Sequence, residues 1–273
     1  MINFLHSYQP QPILLDFGFI KIYWYGLLIV LGILAGITVG LKLAEYYNVK
    51  KEQALDCAFW TVIMGILGAR LYHVVLELPY YLANPLDVFK IWNGGVSVMG
   101  GIIFGLITVF VFAKKNKINF WRLTALASVG MPLGQAIGRW GNYFNQELFG
   151  LPTTLPWGIP IDFMNRPLSY ISSEYFHPTF LYESIGSLFI FAVLLSLQIY
   201  FIKKNKISNQ TAKLITACYL ILYSLLRFSL EFIRLDRTPE IFGLRSPQFA
   251  SILIIIFVVV ILLLPKLKKN DNI

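Results

Sequence analysis

The stretch GRWGNYFNQELFG, residues 138–150, is polar and rich in glycine, yet it ends a long apolar run. Five of its side chains carry charge or form strong hydrogen bonds: Arg139, Asn142, Asn145, Gln146 and Glu147. Such groups are costly to place next to hydrocarbon unless they are paired or hydrated. The stretch therefore requires partners within the protein or a cavity that contains water.

The composition around this stretch is that of a membrane protein. Hydrophobic residues make up 57% of the 273 residues and charged residues only 14%, whereas a soluble domain is nearer to a half and a quarter. The net charge of +9 could indicate nucleic-acid binding. However, the basic residues lie between apolar runs, where cytoplasmic loops carry positive charge. We therefore expect no nucleic-acid partner.

Seven stretches are long and apolar enough to be transmembrane helices, since a helix needs about 20 residues to cross the bilayer. They comprise roughly residues 22–42, 54–77, 96–113, 120–138, 180–202, 212–233 and 248–265. The first lacks the basic leader and cleavage site of a signal peptide, so we expect it to be retained. Cys57 and Cys218 lie within apolar stretches and are expected to be packed thiols. The sequence thus predicts an all-α integral membrane protein with seven transmembrane helices.

Lysines indicate the orientation of these helices. They cluster after the first, third, fifth and seventh stretches, in EYYNVKKE, KKNKINFWR, KKNKISNQTAK and KLKKNDNI. Together with Lys42, beside the first of these segments, they account for 13 of the 15 lysines. Because basic residues are enriched in cytoplasmic loops, we expect the N-terminus outside and the C-terminus in the cytoplasm.

Arginines follow the opposite pattern. Seven of the eight lie at the outer ends of the predicted helices or in outer loops: Arg70, Arg139, Arg166, Arg227, Arg234, Arg237 and Arg245. This distribution departs from the rule that fixes orientation. Something other than topology therefore accounts for these arginines.

The outer loop of residues 150–178, between the fourth and fifth helices, contains five prolines with aromatic residues between them. Prolines at this density exclude a regular helix. A long loop of this kind is more often a functional, ordered structure than a linker. We predict a small extracytoplasmic head inserted into a single polytopic membrane domain, residues 1–273.

The segment RFSLEFIRLDR, residues 227–237, contains the densest charge in an apolar environment. On a helix, Arg227, Glu231 and Arg234 share one face. They could form an Arg–Glu–Arg ladder that locks helices together. Alternatively they could form an anion site, since guanidinium groups donate a fork of hydrogen bonds to phosphate.

Other polar side chains lie near the outer ends of predicted helices. Arg70 needs an acidic or phosphate partner, and Glu183 within an apolar run is a functional candidate by its position. Tyr25 belongs either to an interfacial aromatic belt or to a cavity, and His73 is more often structural than catalytic in such a place. The sequence contains no metal-binding spacing, phosphate-binding loop or serine-hydrolase elbow. We therefore expect no cofactor, metal-free chemistry and an anionic lipid as ligand.

At this point the sequence resembles a known family, the prolipoprotein diacylglyceryl transferases. Their signature, G-R-x-x-N-[F/Y]-x-N-x-E-x-x-G, is matched at every fixed position by Gly138, Arg139, Asn142, Tyr143, Asn145, Glu147 and Gly150. Further matching stretches occur in family order: YWYG, GARLYHVV, NPLDVFKIWNGGVSVMGG, HPTFLYE and RFSLEFIR. The family's seven helices and outer N-terminus agree with the lysine pattern.

The resemblance implies transfer of the diacylglyceryl group from phosphatidylglycerol to the lipobox cysteine of a prolipoprotein, the first step of bacterial lipoprotein maturation. The product is a thioether, and glycerol phosphate leaves. It also implies a multi-pass protein of the bacterial cytoplasmic membrane. Its partners would be phosphatidylglycerol, membrane lipid and signal-peptide-bearing prolipoproteins. We expect a monomer with its cavity toward the outer leaflet.

The resemblance also assigns roles to residues. The catalytic group comprises Arg139, Arg227, Glu147 and Tyr25. Phosphatidylglycerol would be bound by Arg139, Asn142, Asn145, Gly150, Arg70, Glu231, Arg234, Tyr182 and Glu183. Arg139 and Arg227 would stabilise the phosphate, and Glu231 would position Arg227.

One position departs from the family. Met99 stands where the family often has a histidine, and methionine cannot accept a proton. The candidates for that role are Glu147, Tyr25 and His73. Met99 also motivates an alternative, an impaired homologue that binds phosphatidylglycerol or prolipoprotein without catalysis. A second alternative is an anionic-lipid transporter, although no clear internal repeat supports it.

Overall fold

The structure is a computed structural model that describes residues 2–270. Seven helices in this part of the chain have 18 or more residues. They are α2 (Trp24–Ala44), α3 (Lys51–Leu76), α5 (Val98–Lys115), α6 (Phe120–Phe144), α7 (Thr179–Lys203), α8 (Asn209–Leu230) and α9 (Ser246–Asn270). Two short helices, α1 (Ile2–Ser7) and α4 (Leu78–Ala83), lie near the N-terminus and after α3.

Six of the long helices are apolar enough to cross a membrane. The exception is α6, a helix of 25 residues that carries many glycine and polar residues. The chain is therefore a helical, multi-pass membrane protein. Each stretch predicted from the sequence coincides with one of the seven long helices to within a few residues.

Helix α6 extends into the stretch 138–150. Glycine is unfavourable inside a helix, but α6 continues through Gly138 and Gly141 to Phe144. A β-carbon on Gly141 would lie 2.7 Å from Cδ2 of Tyr25. Gly141 therefore allows α2 to approach α6 rather than ending the helix.

Helices α2 and α6 cross with their backbones in contact. A β-carbon on Gly32 would lie 2.7 Å from the carbonyl oxygen of Gly134, and one on Gly134 would lie 2.8 Å from that of Gly32. Four residues along each helix, Gly36 and Gly130 repeat this contact. Small residues at this spacing let membrane helices pack closely.

We expect the variant Gly130→Val to lower the free energy of unfolding by at least about 2 kcal/mol, since its β-carbon would clash with the carbonyl of Gly36. Unfolding in detergent micelles measures this change. Gly26→Ala is the matched control, because a β-carbon there meets nothing within 4 Å, and it should change stability by less than about 1 kcal/mol. Equal losses in the two variants would contradict the contact.

The remaining long helices pack in two groups. Helices α7 and α8 pack on α6 and on each other, and α9 packs on α8. Helices α3 and α5 form a separate pair that touches α2 and α6 more sparsely. A buried apolar cluster, which includes Tyr47, Cys57, Leu123, Leu194 and Ile215, joins the ends of the helices that carry the lysines.

The opposite end of the bundle carries a small ordered head. Strands β3 (Ile159–Pro160) and β4 (Tyr175–Phe176) pair antiparallel within the proline-rich loop, and this loop contains no α-helix in its fully described length. The ring of His6 in α1 stacks on Tyr175 at 4.1 Å. Gln146 follows α6 and donates to Asp162 Oδ2 at 2.7 Å. These contacts fix the head on the end of α6.

Two further antiparallel hairpins flank the bundle at the same end. Strands β1 (Ile13–Asp16) and β2 (Lys21–Tyr23) form the first, directly before α2. Strands β5 (Glu240–Ile241) and β6 (Leu244–Arg245) form the second, directly before α9. The second hairpin brings Arg245 back toward the end of α8.

Candidate functional site

Glu183, in the second turn of α7, is the centre of a buried cluster of charges. Its Oε2 lies 3.0 Å from Arg139 Nε and 3.2 Å from Arg234 Nη1. Its Oε1 lies 3.4 Å from Arg227 Nη1. Glu183 is only 2% exposed, and a carboxylate buried to this extent needs such partners.

Glu231 directly follows α8 and is a second centre of the same cluster. Its Oε2 lies 3.0 Å from Arg227 Nη2 and 4.0 Å from Arg234 Nε. Its Oε1 lies 3.3 Å from Arg245 Nε. The Arg–Glu–Arg ladder, one of the two arrangements that the sequence allowed, is therefore present, although α8 ends at Leu230 and Arg234 lies in the turn beyond it. Glu183 extends this ladder to α6 and α7.

Arg245 fixes the turn that follows α8. Its Nη1 donates to the carbonyl oxygens of Glu231 at 2.9 Å and Arg234 at 2.6 Å. Its Nη2 donates to the carbonyl of Asp236, and its Nε donates to Thr238 Oγ1 at 3.0 Å. These bonds satisfy carbonyl groups that the end of a helix leaves unpaired. Arg245 thereby holds Glu231 and Arg234 in place.

Asp236 completes the cluster through a hydrogen bond of 2.7 Å from Arg234 Nε. Burial alone raises the pKa of Asp236, but the bond from Arg234 and the charges of Arg227 and Arg245 outweigh it and hold that pKa below its usual range. Asp236 is therefore ionised at neutral pH. The cluster comprises four arginines (Arg139, Arg227, Arg234, Arg245) and three carboxylates (Glu183, Glu231, Asp236), which leaves one positive charge.

A chain of polar contacts leads from this cluster to the surface. Arg139 Nη1 donates to Asn142 Oδ1 at 3.4 Å, and Asn142 Nδ2 donates to Glu147 Oε1 at 2.7 Å. Asn145 Nδ2 reaches the same carboxylate oxygen at 3.5 Å. Tyr25 lies close enough to interact with the charges of both Arg139 and Glu147. Glu147 itself is exposed, so it is accessible to a substrate.

An apolar cavity of about 500 Å³ opens beside these residues. Tyr25, Arg139 and Asn142 form its polar end. The rest is lined mainly by glycine and aliphatic residues of α2, α3 and α6, with Val98 and Val109 from α5. The site thus joins a positively charged cluster to an apolar cavity, which suits an anionic lipid.

Arg70 lies at a different place from the cluster. It donates to the carbonyl oxygens of Val88 at 2.9 Å and of Gly94 and Gly95 at 2.7 Å each, and also to that of Asp87. These bonds hold the loop that leads into α5. Lipid binding by Arg70 stays a prediction.

His73 and Met99 also lie outside the charged cluster described above. The ring of His73 packs edge-on against Tyr81 at 6.0 Å, and its Nε2 faces Gly95. Met99 is 51% exposed in the first turn of α5. Its neighbour Val98, rather than Met99, lines the cavity.

Gly150 and Tyr182 connect the head to the helices. Gly150 N donates to His177 O at 2.9 Å, and a β-carbon on Gly150 would lie 2.8 Å from Ile233 O. Tyr182 Oη accepts a hydrogen bond from Trp157 Nε1 at 2.8 Å and lies 3.1 Å from His177 Nδ1. Burial lowers the pKa of His177, which keeps its ring neutral at pH 7. Gly150 and Tyr182 thus make structural contacts, and lipid binding by these two residues stays a prediction.

Two members of the cluster were not predicted from the sequence. Arg245 was noticed only as one of several outer arginines, and Asp236 received no role. The signal that could have found them was the position of the arginines themselves. An arginine at the end of an apolar stretch, away from the lysine-rich loops, needs a nearby acidic partner. Across residues 2–270, no group of three histidine, cysteine or carboxylate side chains is arranged to hold a metal ion.

Comparison with known proteins gives a consistent result. Residues 12–264 match the family model of prolipoprotein diacylglyceryl transferase. A phosphatidylglycerol–prolipoprotein diacylglyceryl transferase of Synechocystis sp. is 41% identical over 249 residues, which cover 91% of this chain and 87% of the relative. The protein of the same name from Finegoldia magna is 42% identical over 237 residues, which cover 87% of this chain and 88% of the relative.

Proposed function

The chain belongs to the prolipoprotein diacylglyceryl transferase family, and we propose that it transfers the diacylglyceryl group of phosphatidylglycerol to the lipobox cysteine of a prolipoprotein. One observation carries this proposal. The cluster with one excess positive charge lies at the open end of the apolar cavity, with Arg139 belonging to both. A lipid with one negative charge and two acyl chains matches both parts.

The reaction needs a nucleophile and a leaving group. The cysteine sulfur attacks the carbon of the diacylglyceryl group that is bonded to the phosphate oxygen. A C–S bond forms, the C–O bond between that carbon and the phosphate breaks, and glycerol phosphate departs. The thiol must lose its proton to attack. Guanidinium groups that lie ready for the departing phosphate lower the barrier, because its charge grows in the transition state. Arg139 and Arg227 supply these groups, and Glu183 and Glu231 hold them.

Glu147 is the group that we assign to accept the thiol proton. It is an exposed carboxylate near the cavity, oriented by Asn142 at 2.7 Å. Tyr25 lies close enough to both Glu147 and Arg139 to interact with their charges. This assignment accounts for Met99, because it does not need a histidine at that position.

We expect Glu147→Gln to lower kcat about a hundredfold, as loss of a general base does, with little change in the KM for phosphatidylglycerol. Steady-state transfer to a fluorescent lipobox peptide measures both constants. In the protein that retains Glu147, the variant Met99→His should change the transfer rate by less than about twofold. A large gain from Met99→His, together with an active Glu147→Gln variant, would move the base to position 99.

The membrane arrangement supports a site in the outer leaflet. We propose that α6, which packs against α2, α7 and α8, is a seventh span, and the lysine pattern then supports an outer N-terminus and lysine-rich segments in the cytoplasm. The head of residues 150–178 then lies outside the bacterial cytoplasmic membrane, within a single membrane domain. Prolipoproteins arrive at this face, and the protein acts as a monomer.

The direct experiment combines purified protein, phosphatidylglycerol and a lipobox peptide, with mass spectrometry for the thioether and an assay for glycerol phosphate. We expect both products in equal amounts. Binding of lipid and peptide without product would support the impaired homologue that Met99 suggests. Movement of labelled lipid across a vesicle membrane without product would support a transporter.

A further inference from the structure

The apolar cavity extends far from the charged cluster. On α2 its lining extends from Tyr25 to Leu41, and on α6 it extends from Asn142 to Leu123. These pairs are 16 and 19 residues apart, which corresponds to about 24 and 28 Å along a helix. Half of the hydrocarbon core of a bilayer is only about 15 Å thick. The cavity is therefore deeper than one leaflet.

The two halves of the cavity have different walls. Near Tyr25 it is bounded by α2 and α6, with only Val98 from α5. In the deep half α3 adds a third wall, through residues between Ala54 and Val62. The outer half is thus lined mainly by two helices, whereas the deep half is lined by three. A long molecule could enter from the side and be surrounded only at its far end.

The deep end is closed by the buried apolar cluster. Cys57 and Leu123 are each only 5% exposed and belong to that cluster. The hydroxyl of Thr61 on the α3 wall donates to the carbonyl of Cys57 at 2.6 Å, so it is engaged within its own helix. This end of the cavity therefore favours a hydrocarbon chain.

We infer that the deep half of the cavity holds one acyl chain of the phosphatidylglycerol donor, and that its floor sets the longest chain the protein accepts. The floor is formed by Leu41, Ala54, Cys57 and Leu123. The inference rests on the proposed function, because the phosphate at Arg139 fixes where the chain begins. The distance between Arg139 and the floor then limits the length of the acyl chain.

The test places one larger side chain above the floor, which shortens the deep half of the cavity. Ala58 lines the cavity about one turn above Ala54. Ala58→Phe should lower kcat/KM for dioctadecenoyl phosphatidylglycerol at least about tenfold, since each displaced methylene costs about fourfold. The value for didodecanoyl phosphatidylglycerol should change less than about twofold. The control is Leu55→Phe on the same helix, where the side chain is 49% exposed, and it should preserve both values.

A second variant guards against misfolding of the first. Ala127→Phe fills the same space from the α6 wall, and it should show the same selective loss. An equal loss for the two lipids, or no loss for either, in the folded variants would overturn the inference. Absence of product from the unmodified protein with both lipids would instead overturn the proposed function.

Discussion

Arg139→Lys should lower transfer activity about a thousandfold while the protein still folds. Lysine keeps the positive charge, but it lacks the planar fork that can bind Glu183 and a phosphate at once. Arg139 contacts Glu183 through its Nε at 3.0 Å and Asn142 through its Nη1 at 3.4 Å, and it also lines the cavity. Loss of one group that stabilises a growing negative charge costs up to about a thousandfold in rate.

The measurement is kcat/KM for thioether formation, together with the unfolding temperature in detergent. Arg237→Lys is the matched control, because Arg237 is exposed in the same segment as Arg234, and it should retain full activity. An Arg139→Lys variant with more than about a third of the normal activity would remove Arg139 from the phosphate site.

Glu183→Gln should lower the free energy of unfolding by about 3–5 kcal/mol, the usual result of removing one partner of a buried ion pair. The substitution keeps the shape of the side chain but leaves four arginines with two carboxylates. Three guanidinium groups lie 3.0–3.4 Å from Glu183, and each of them would lose this negatively charged partner.

Thermal unfolding in detergent measures this loss, and Glu174→Gln in the head is the control because Glu174 is exposed. Added phosphatidylglycerol should raise the unfolding temperature of Glu183→Gln more than that of the unmodified protein, since an anion then replaces the missing charge. An unfolding temperature equal to that of the control would mean that the arginines do not depend on Glu183.

Six of the seven long helices were accessible from the sequence because their apolar length alone identifies them. The end of α6 was not. Gly138 and Gly141 are typical of helix breaks when read along one chain, but their role depends on Tyr25 and Ile29 of α2, which pack against them. Asn142 lies within the helix and donates to Glu147 at 2.7 Å, and a sequence pattern does not show such a bond.

Five of the seven charged residues of the cluster were predicted one by one, but their arrangement was not. The spacing of Arg227, Glu231 and Arg234 allowed a ladder or an anion site because all three are local. Glu183 was predicted as an embedded acid and a lipid ligand, but not as the centre of the cluster, since its three partners lie on other elements. Arg245 reaches the cluster through a hairpin, and helical spacing contains no information on such a turn.

The order of these charges along the chain has a consequence for biosynthesis. Arg139 leaves the ribosome 44 residues before Glu183, and Arg245 emerges 106 residues after Arg139. During that interval Arg139 enters the membrane without the carboxylate that pairs with it in the folded protein. Water or lipid headgroups therefore have to solvate its guanidinium until Glu183 follows it.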